Sequence, residues 1–218
     1  MLSPQNVSGD YNSMSFAIQQ ALAEIQTATL VRIVSCTNAG GLSPVGFVDV
    51  LPLVNQVDGK GNATPHVAMH NLPYLRIQGG SNAVIIDPQA GDIGIAIFAS
   101  RDISKVKTTK APANPGSWRR HDFSDGLYLG GVLNGAPIQY FQFTAEGINI
   151  VSPTKITLSA PLIEIDGQLS QGLGANGGSA EMLGPVTVTN DVTATGTSTH
   201  THVHGGVQSG SSNTGEPV

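Results

Sequence analysis

Ile148-Asn149-Ile150-Val151-Ser152-Pro153-Thr154-Lys155-Ile156-Thr157-Leu158-Ser159-Ala160-Pro161-Leu162-Ile163-Glu164-Ile165 is a loose repeat, too short for a globular fold. Its apolar pairs, Ile148-x-Ile150, Ile156-x-Leu158 and Ile163-x-Ile165, recur at steps of eight and seven residues and are parted by turn formers such as Ser152-Pro153, Ala160-Pro161 and Asp166-Gly167. Val186-x-Val188 follows after a glycine-rich interruption. Alternate residues of a strand share one face, so each unit offers a two-residue apolar stripe on a very short strand. One chain cannot bury such stripes, whereas units stacked around a shared axis can. The spacing predicts an intertwined homotrimeric β-helix over residues 138–199, a stiff needle with small polar residues outside.

Downstream, His200-Thr201-His202-Val203-His204-Gly205-Gly206-Val207-Gln208 places three of the six histidines at every second position. In an extended strand all three would point the same way, about 6.6 Å apart. One chain supplies too few ligands to surround an ion. Three chains meeting on an axis, each giving two histidines, would surround it with six imidazole nitrogens in an octahedron, which suits iron or nickel better than tetrahedral zinc. Oligomerisation is thus predicted twice. An affinity tag would run contiguously, whereas these histidines alternate with Thr201 and Val203 and fourteen residues follow them.

Upstream of the needle the pattern changes. Met14, Ile18, Leu22 and Ile25 fall at helical spacing behind a cap at Asn12 or Ser13, which predicts one helix over Ser13 to Ala28, packed on the next domain. Five strand-like runs follow: Leu30–Ser35, Gly46–Val57, Leu72–Gln78, Ala83–Asp87 and Asp92–Ser100. With turns at Asp58–Asn62 and Pro88–Gly91 and no helix between them, they predict a small closed barrel of the oligonucleotide/oligosaccharide-binding (OB) type. The expected organisation is an arm and helix at 1–28, the OB-fold barrel at 29–110, a connector at 111–137, the needle at 138–199 and a metal-binding apex at 200–218.

Composition agrees with an all-β chain: 11% of the 218 residues are charged, 5% are aromatic, and 27 are glycine. A net charge of −5 without a basic stripe argues against nucleic acid, since Arg119-Arg120 beside Trp118 is too small a surface. The N-terminus has neither the charged start nor the apolar centre of a signal peptide, and the apolar run at Ile95–Ala99 is far below the roughly 20 residues that span a bilayer. Cys36 stands alone, which fits synthesis in a cytoplasm and leaves the sequons at Asn6 and Asn62 without meaning.

Motifs for chemistry are weak. His66 and His70 lie four apart, yet Pro65 and Pro73 bracket them and no glutamate follows His66, so they read as surface or loop residues rather than a zinc-protease pair. His121 reads as structural, holding the barrel exit through a hydrogen bond. Gly172-Leu173-Gly174-Ala175-Asn176-Gly177 matches a dinucleotide glycine pattern but lacks the strand, helix and acid of a βαβ unit, and reads as a loop interrupting the needle. No glutamate or aspartate pair is spaced as a glycosidase acid and nucleophile, no Gly-x-Ser-x-Gly occurs, and Cys36 has no base beside it. No enzyme is expected.

Three stretches resemble the central spike of contractile-tailed bacteriophage baseplates, the membrane-piercing type without a lysozyme domain. Pro88-Gln-Ala-Gly-Asp-Ile-Gly-Ile-Ala-Ile-Phe-Ala-Ser-Arg-Asp102 resembles the last barrel strand of the family's N-terminal domain, and Arg119-Arg-His-Asp-Phe-Ser-Asp-Gly-Leu127 the passage that leaves it. His-x-His-Gly-Gly-Val-Gln-x-Gly, ending at Gly210, resembles the family's apex. The resemblance implies a His-x-His pair from each of three chains binding one iron ion on the three-fold axis. The pair before Gly205-Gly206-Val207 fits best, which makes His202 and His204 the expected ligands, with His200/His202 as the alternative. It further implies docking of the barrel on the baseplate hub protein, a place at the tip of the virion's tail, and a needle driven through the host outer membrane by sheath contraction. A phage-derived contractile bacteriocin would need the same needle. A trimeric glycan-binding fibre would need aromatic and acidic grooves, and residues 138–199 hold only Tyr140, Phe141, Phe143 and a few acids. A metalloenzyme using the histidines would need an open metal position, which six imidazoles do not leave.

Overall fold

The computed structural model describes residues 10–172, 177–203, 205, 206 and 210. In chain order the elements are α1 (Asp10–Ala23), β1 (Ala28–Cys36), β2 (Phe47–Pro52), β3 (Gln56–Val57), β4 (Ala63–Thr64), β5 (Met69–Pro73), β6 (Ile77–Gly79), β7 (Asn82–Val84) and β8 (Ile93–Phe98). They continue with α2 (Ser104–Thr109), a 3₁₀ turn (Phe123–Asp125), β9 (Gly126–Gly131), β10 (Tyr140–Thr144), β11 (Gly147–Val151), β12 (Thr193–Ala194) and β13 (Thr197–Ser198). The chain divides into two units, Met1–Thr154 and Lys155–Val218.

The first unit is built on a five-stranded antiparallel sheet in the order β5-β2-β1-β8-β9. Alternation explains its core: Val31 and Ile33 of β1 and Val48 and Val50 of β2 point inward and are fully or almost fully buried. Register shifts at Ile33/Ser35, Val48/Val50 and Ile95/Ala96 bend three of the four ladders, and such bulges sharpen twist and curl. The sheet therefore rolls into an OB-like half-barrel whose edges touch at one point, where Leu75 N–H donates to Tyr128 O at 2.8 Å beside a parallel Tyr74–Tyr128 bridge. Small hairpins, β3-β4 and β6-β7, project from it.

Three expectations are corrected here. The fifth strand of the sheet is β9, from the stretch assigned to the passage leaving the barrel, while the run at Ala83–Asp87 contributes only to the separate β6-β7 hairpin. β9 is glycine-rich and short of β-branched residues, so its composition does not announce a strand; the tertiary slot beside β8 does. Among the described residues there is also a second helix, α2, and a 3₁₀ turn. Finally, α1 forms but does not pack on the barrel: none of its residues is buried, and Met14 (67% exposed), Ile18 and Leu22 face outward. Just past its C-terminal end the chain is tied to the barrel, where Gln26 N–H donates to His121 O at 3.3 Å and the His121 Nδ1–H donates to Gln26 O at 3.2 Å.

A carboxylate clasp holds the chain between β8 and β9. Asp125, 0% exposed, accepts from Ile103 N–H at 3.0 Å and from Arg119 Nε and Nη2 at 3.0 and 3.1 Å. Asp102 accepts from Ser104 N–H, from the Ser117 hydroxyl at 2.7 Å and from Arg119 Nη2 at 3.0 Å. A second clasp joins Arg76 and Tyr74 to Asp87, at 2.6 Å each.

Beyond the barrel, β10 and β11 form a hairpin with two unlike faces. Phe141 opposes Ile150 and Phe143 opposes Ile148 on one, while Asn149 donates to Gln142 Oε1 on the other. In the second unit the described residues hold one hairpin, β12-β13. The apolar pairs Ile156/Leu158, Ile163/Ile165 and Val186/Val188 are all exposed in the single chain.

Candidate metal centre at the C-terminal apex

The apex is launched by the β12-β13 hairpin, in which Thr193 opposes Ser198 and Ala194 opposes Thr197. The two loop residues, Thr195 (φ 49°) and Gly196 (φ 86°), are both left-handed, the backbone of a type I′ turn, which matches strand twist. Gly196 takes that conformation freely; Thr195 is held in it by the pairing on either side. Thr199 N–H donates to Val192 O at 2.9 Å and extends the ladder by a step.

Past β13 the chain reverses. Ser198 Oγ accepts from His200 N–H at 3.1 Å and from Thr201 N–H at 3.0 Å, and His202 N–H donates to Ser198 O at 3.2 Å. Asp191 Oδ1 accepts from His200 N–H at 3.0 Å and from the Thr199 hydroxyl at 3.2 Å. The Ser198 hydroxyl, with the His200 N–H and Thr199 hydroxyl adding to it, holds the Asp191 carboxyl below the ordinary carboxylate range.

This corrects the extended-strand reading of the histidines. His200 lies in a turn and His202 directly after it, rather than at alternate positions of a strand, because serine and aspartate side chains offer the backbone N–H groups local acceptors that compete with strand pairing. His204 lies outside the described residues. His202 is held by its ring as well as its backbone: Nδ1 lies 3.0 Å from Ser198 O and 3.2 Å from Thr199 O. Carbonyl oxygens only accept, so Nδ1 carries the proton and the lone pair of the neutral ring sits on Nε2. That is the state of a metal-ligating imidazole with its outer bond already made. The donor chemistry at His202 therefore fits a metal, although the described residues of one chain bring no three histidine, cysteine or acidic side chains together as ligands.

The remaining histidines are elsewhere. His66 meets the ring of Phe123 edge-on at 5.7 Å. His70 Nδ1 lies 3.2 Å from Asp49 Oδ2, and the same oxygen accepts from Ser35 Oγ at 3.1 Å. This trio passed unnoticed in the sequence because its members are 14 and 21 residues apart. Its order is wrong for nucleophilic catalysis, which requires the imidazole between hydroxyl and carboxylate; here the carboxylate is in the middle. The Gly172–Gly177 pattern lies partly outside the described residues. A groove of about 930 Å³ is lined by Cys36, Asn38, Gln89 and Gln139 and contains no aromatic side chain, so it lacks the stacking platforms that sugars and bases use.

Compared with known families, residues 196–218 match the GpV Apex motif, which indicates a phage baseplate spike protein. Such spikes are structural and generally non-enzymatic, and the apex family binds metal. No curated protein matches the chain. Among the described residues no helix is long and apolar enough to cross a membrane.

Proposed function

Starting from a chain that carries the apex of a phage baseplate spike, we propose that three copies form the central spike of a contractile tail and pierce the host outer membrane when the sheath contracts. The OB-like barrel docks the trimer on the hub protein of the baseplate. Residues 138–199 form the needle, as an intertwined β-helix, and residues 200–218 its tip.

The observation that carries this reading is the apex match at residues 196–218. The exposed apolar side chains support it. Ile156, Leu158, Ile163 and Ile165 are uncovered in one chain, and a repeat of short apolar pairs gains burial when copies stack about an axis. The β10-β11 hairpin adds Phe141, Phe143, Ile148 and Ile150 on a single face, with Phe143 78% exposed. A lone two-stranded hairpin is marginal in water, so this ribbon too calls for cover.

At the tip, His202 and His204 of each chain hold one iron ion on the three-fold axis, with His200 as the alternative partner of His202. Bound there, the ion cross-links three chains where too little core remains for burial to stabilise them. Six imidazoles leave no coordination position for a substrate, which agrees with a structural role.

The test is metal content per chain, measured on untagged protein purified without chelator, together with the native mass. One iron for every three chains in a trimer is expected. One metal per chain would reopen an enzymatic reading, and a monomer without metal would overturn the assembly.

A further inference from the structure

We propose that Asp191, five residues ahead of the matched motif, is a positioning residue for the apex ligands: with Ser198 it holds the turn Thr199–Thr201 so that His202 presents Nε2 to the ion. The inference rests on the metal-bound spike proposed above and extends it beyond the histidines.

Six contacts carry it. The Asp191 carboxylate takes the His200 N–H and the Thr199 hydroxyl, at 3.0 and 3.2 Å. Ser198, half-buried, takes the N–H groups of His200 and Thr201. The carbonyls of Ser198 and Thr199 then face the His202 ring and fix Nδ1 as the protonated nitrogen. All of these groups belong to one chain. The ligand is thus oriented before three chains meet, and less conformational freedom is lost when the site closes.

Asp191 bonds the turn at the His200 N–H and the Thr199 hydroxyl. Its carboxylate acts through the backbone of the turn, and a substitution there should alter how firmly the ion is held without altering which atoms hold it. Outer-shell partners of metal ligands typically contribute about 10- to 100-fold in affinity.

The experiment follows release of iron from the full-length trimer into excess chelator, for the native chain, D191A, D191N and S198A, with melting curves of the loaded and metal-free forms. D191A and S198A are expected to release iron about 10- to 100-fold faster. D191N, whose amide oxygen still accepts from His200 N–H and the Thr199 hydroxyl, is expected to stay close to the native rate. Metal-free forms of all four should melt together, because the turn contributes little where no ion is held. Equal release from D191A and the native chain would overturn the inference while leaving the spike reading intact. So would an equal loss of melting temperature in loaded and metal-free D191A, which would mark the residue as merely structural. A native trimer that carries no iron would overturn the metal reading and this inference together.

Discussion

At the scale of single residues, buried carboxylates decide how the chain between β8 and β9 is held. Asp125 is fully buried and accepts from a backbone N–H and from the Nε and Nη2 N–H groups of Arg119. Asp125→Ala would strand these donors; because Arg119 is still about a third exposed, the cost falls at the low end for a broken buried pair, about 3 kcal/mol, read as a lower melting temperature of the barrel. Acid should act on the same clasps. The Tyr74 hydroxyl, ahead of Arg76, keeps Asp87 below its ordinary value of 3.8, and Ser104, Ser117 and Arg119 keep Asp102 well below it. Both folded values lie beneath the unfolded ones, so the stabilisation is fully present above the unfolded carboxylate range and is lost as pH falls through the lower folded values. Melting temperature should hold steady from neutral pH to about 5 and drop steeply below about 3; a chain equally stable across that range would contradict the assignment.

At the scale of elements, β8 shows what alternation does and does not reveal. The run Ile93-Gly94-Ile95-Ala96-Ile97-Phe98 is plainly a strand, yet the buried face carries Gly94, Ala96 and Phe98 while the isoleucines are half-covered. The reason is on the neighbouring strand: the Tyr128 ring of β9 lies over Gly94, and a Cβ added there would collide with that ring and with Gly130 O. Gly94→Ala should therefore destabilise the barrel by about 1–3 kcal/mol through overpacking, checked by denaturant unfolding. An unchanged midpoint would mean that the ring is free to move aside. α1 shows the converse. Its helical period was legible and the helix forms, at Asp10–Ala23 rather than Ser13–Ala28, but periodicity alone could not say what its apolar stripe meets, and the barrel does not cover it.

At the scale of the whole molecule, the proposed spike makes a demand of the complete virion. Particles assembled with chains lacking residues 200–218 should retain baseplates yet infect poorly, measured as plaque-forming units per particle. Normal infection by such particles would remove the piercing role from the apex. The candidate site was visible in the sequence because it depends on local spacing: His202 and His204, or His200 and His202, are close neighbours in the chain. Their scaffold was not. Asp191 lies nine residues before His200, and neither its type nor its distance sets it apart from the other aspartates.

Sequence by itself determined the β-rich class, most of the short strands of the curled sheet, the exposed apolar pairs and the histidine-bearing end, since each depends on period, composition or neighbouring residues. Tertiary structure decided which strand closes the sheet, which face of β8 is inside, and that the histidine segment turns at Thr199–Thr201. The first two depend on groups distant in the chain, and the third on nearby side-chain acceptors that outcompete strand pairing. β9 reaches the sheet through the Arg119–Asp125 clasp, Tyr128 takes the space over Gly94, and Asp191 with Ser198 captures backbone N–H groups that a strand would have paired elsewhere. Local pattern says what a segment can become; the free energy of burying and satisfying groups brought from far along the chain selects what it is.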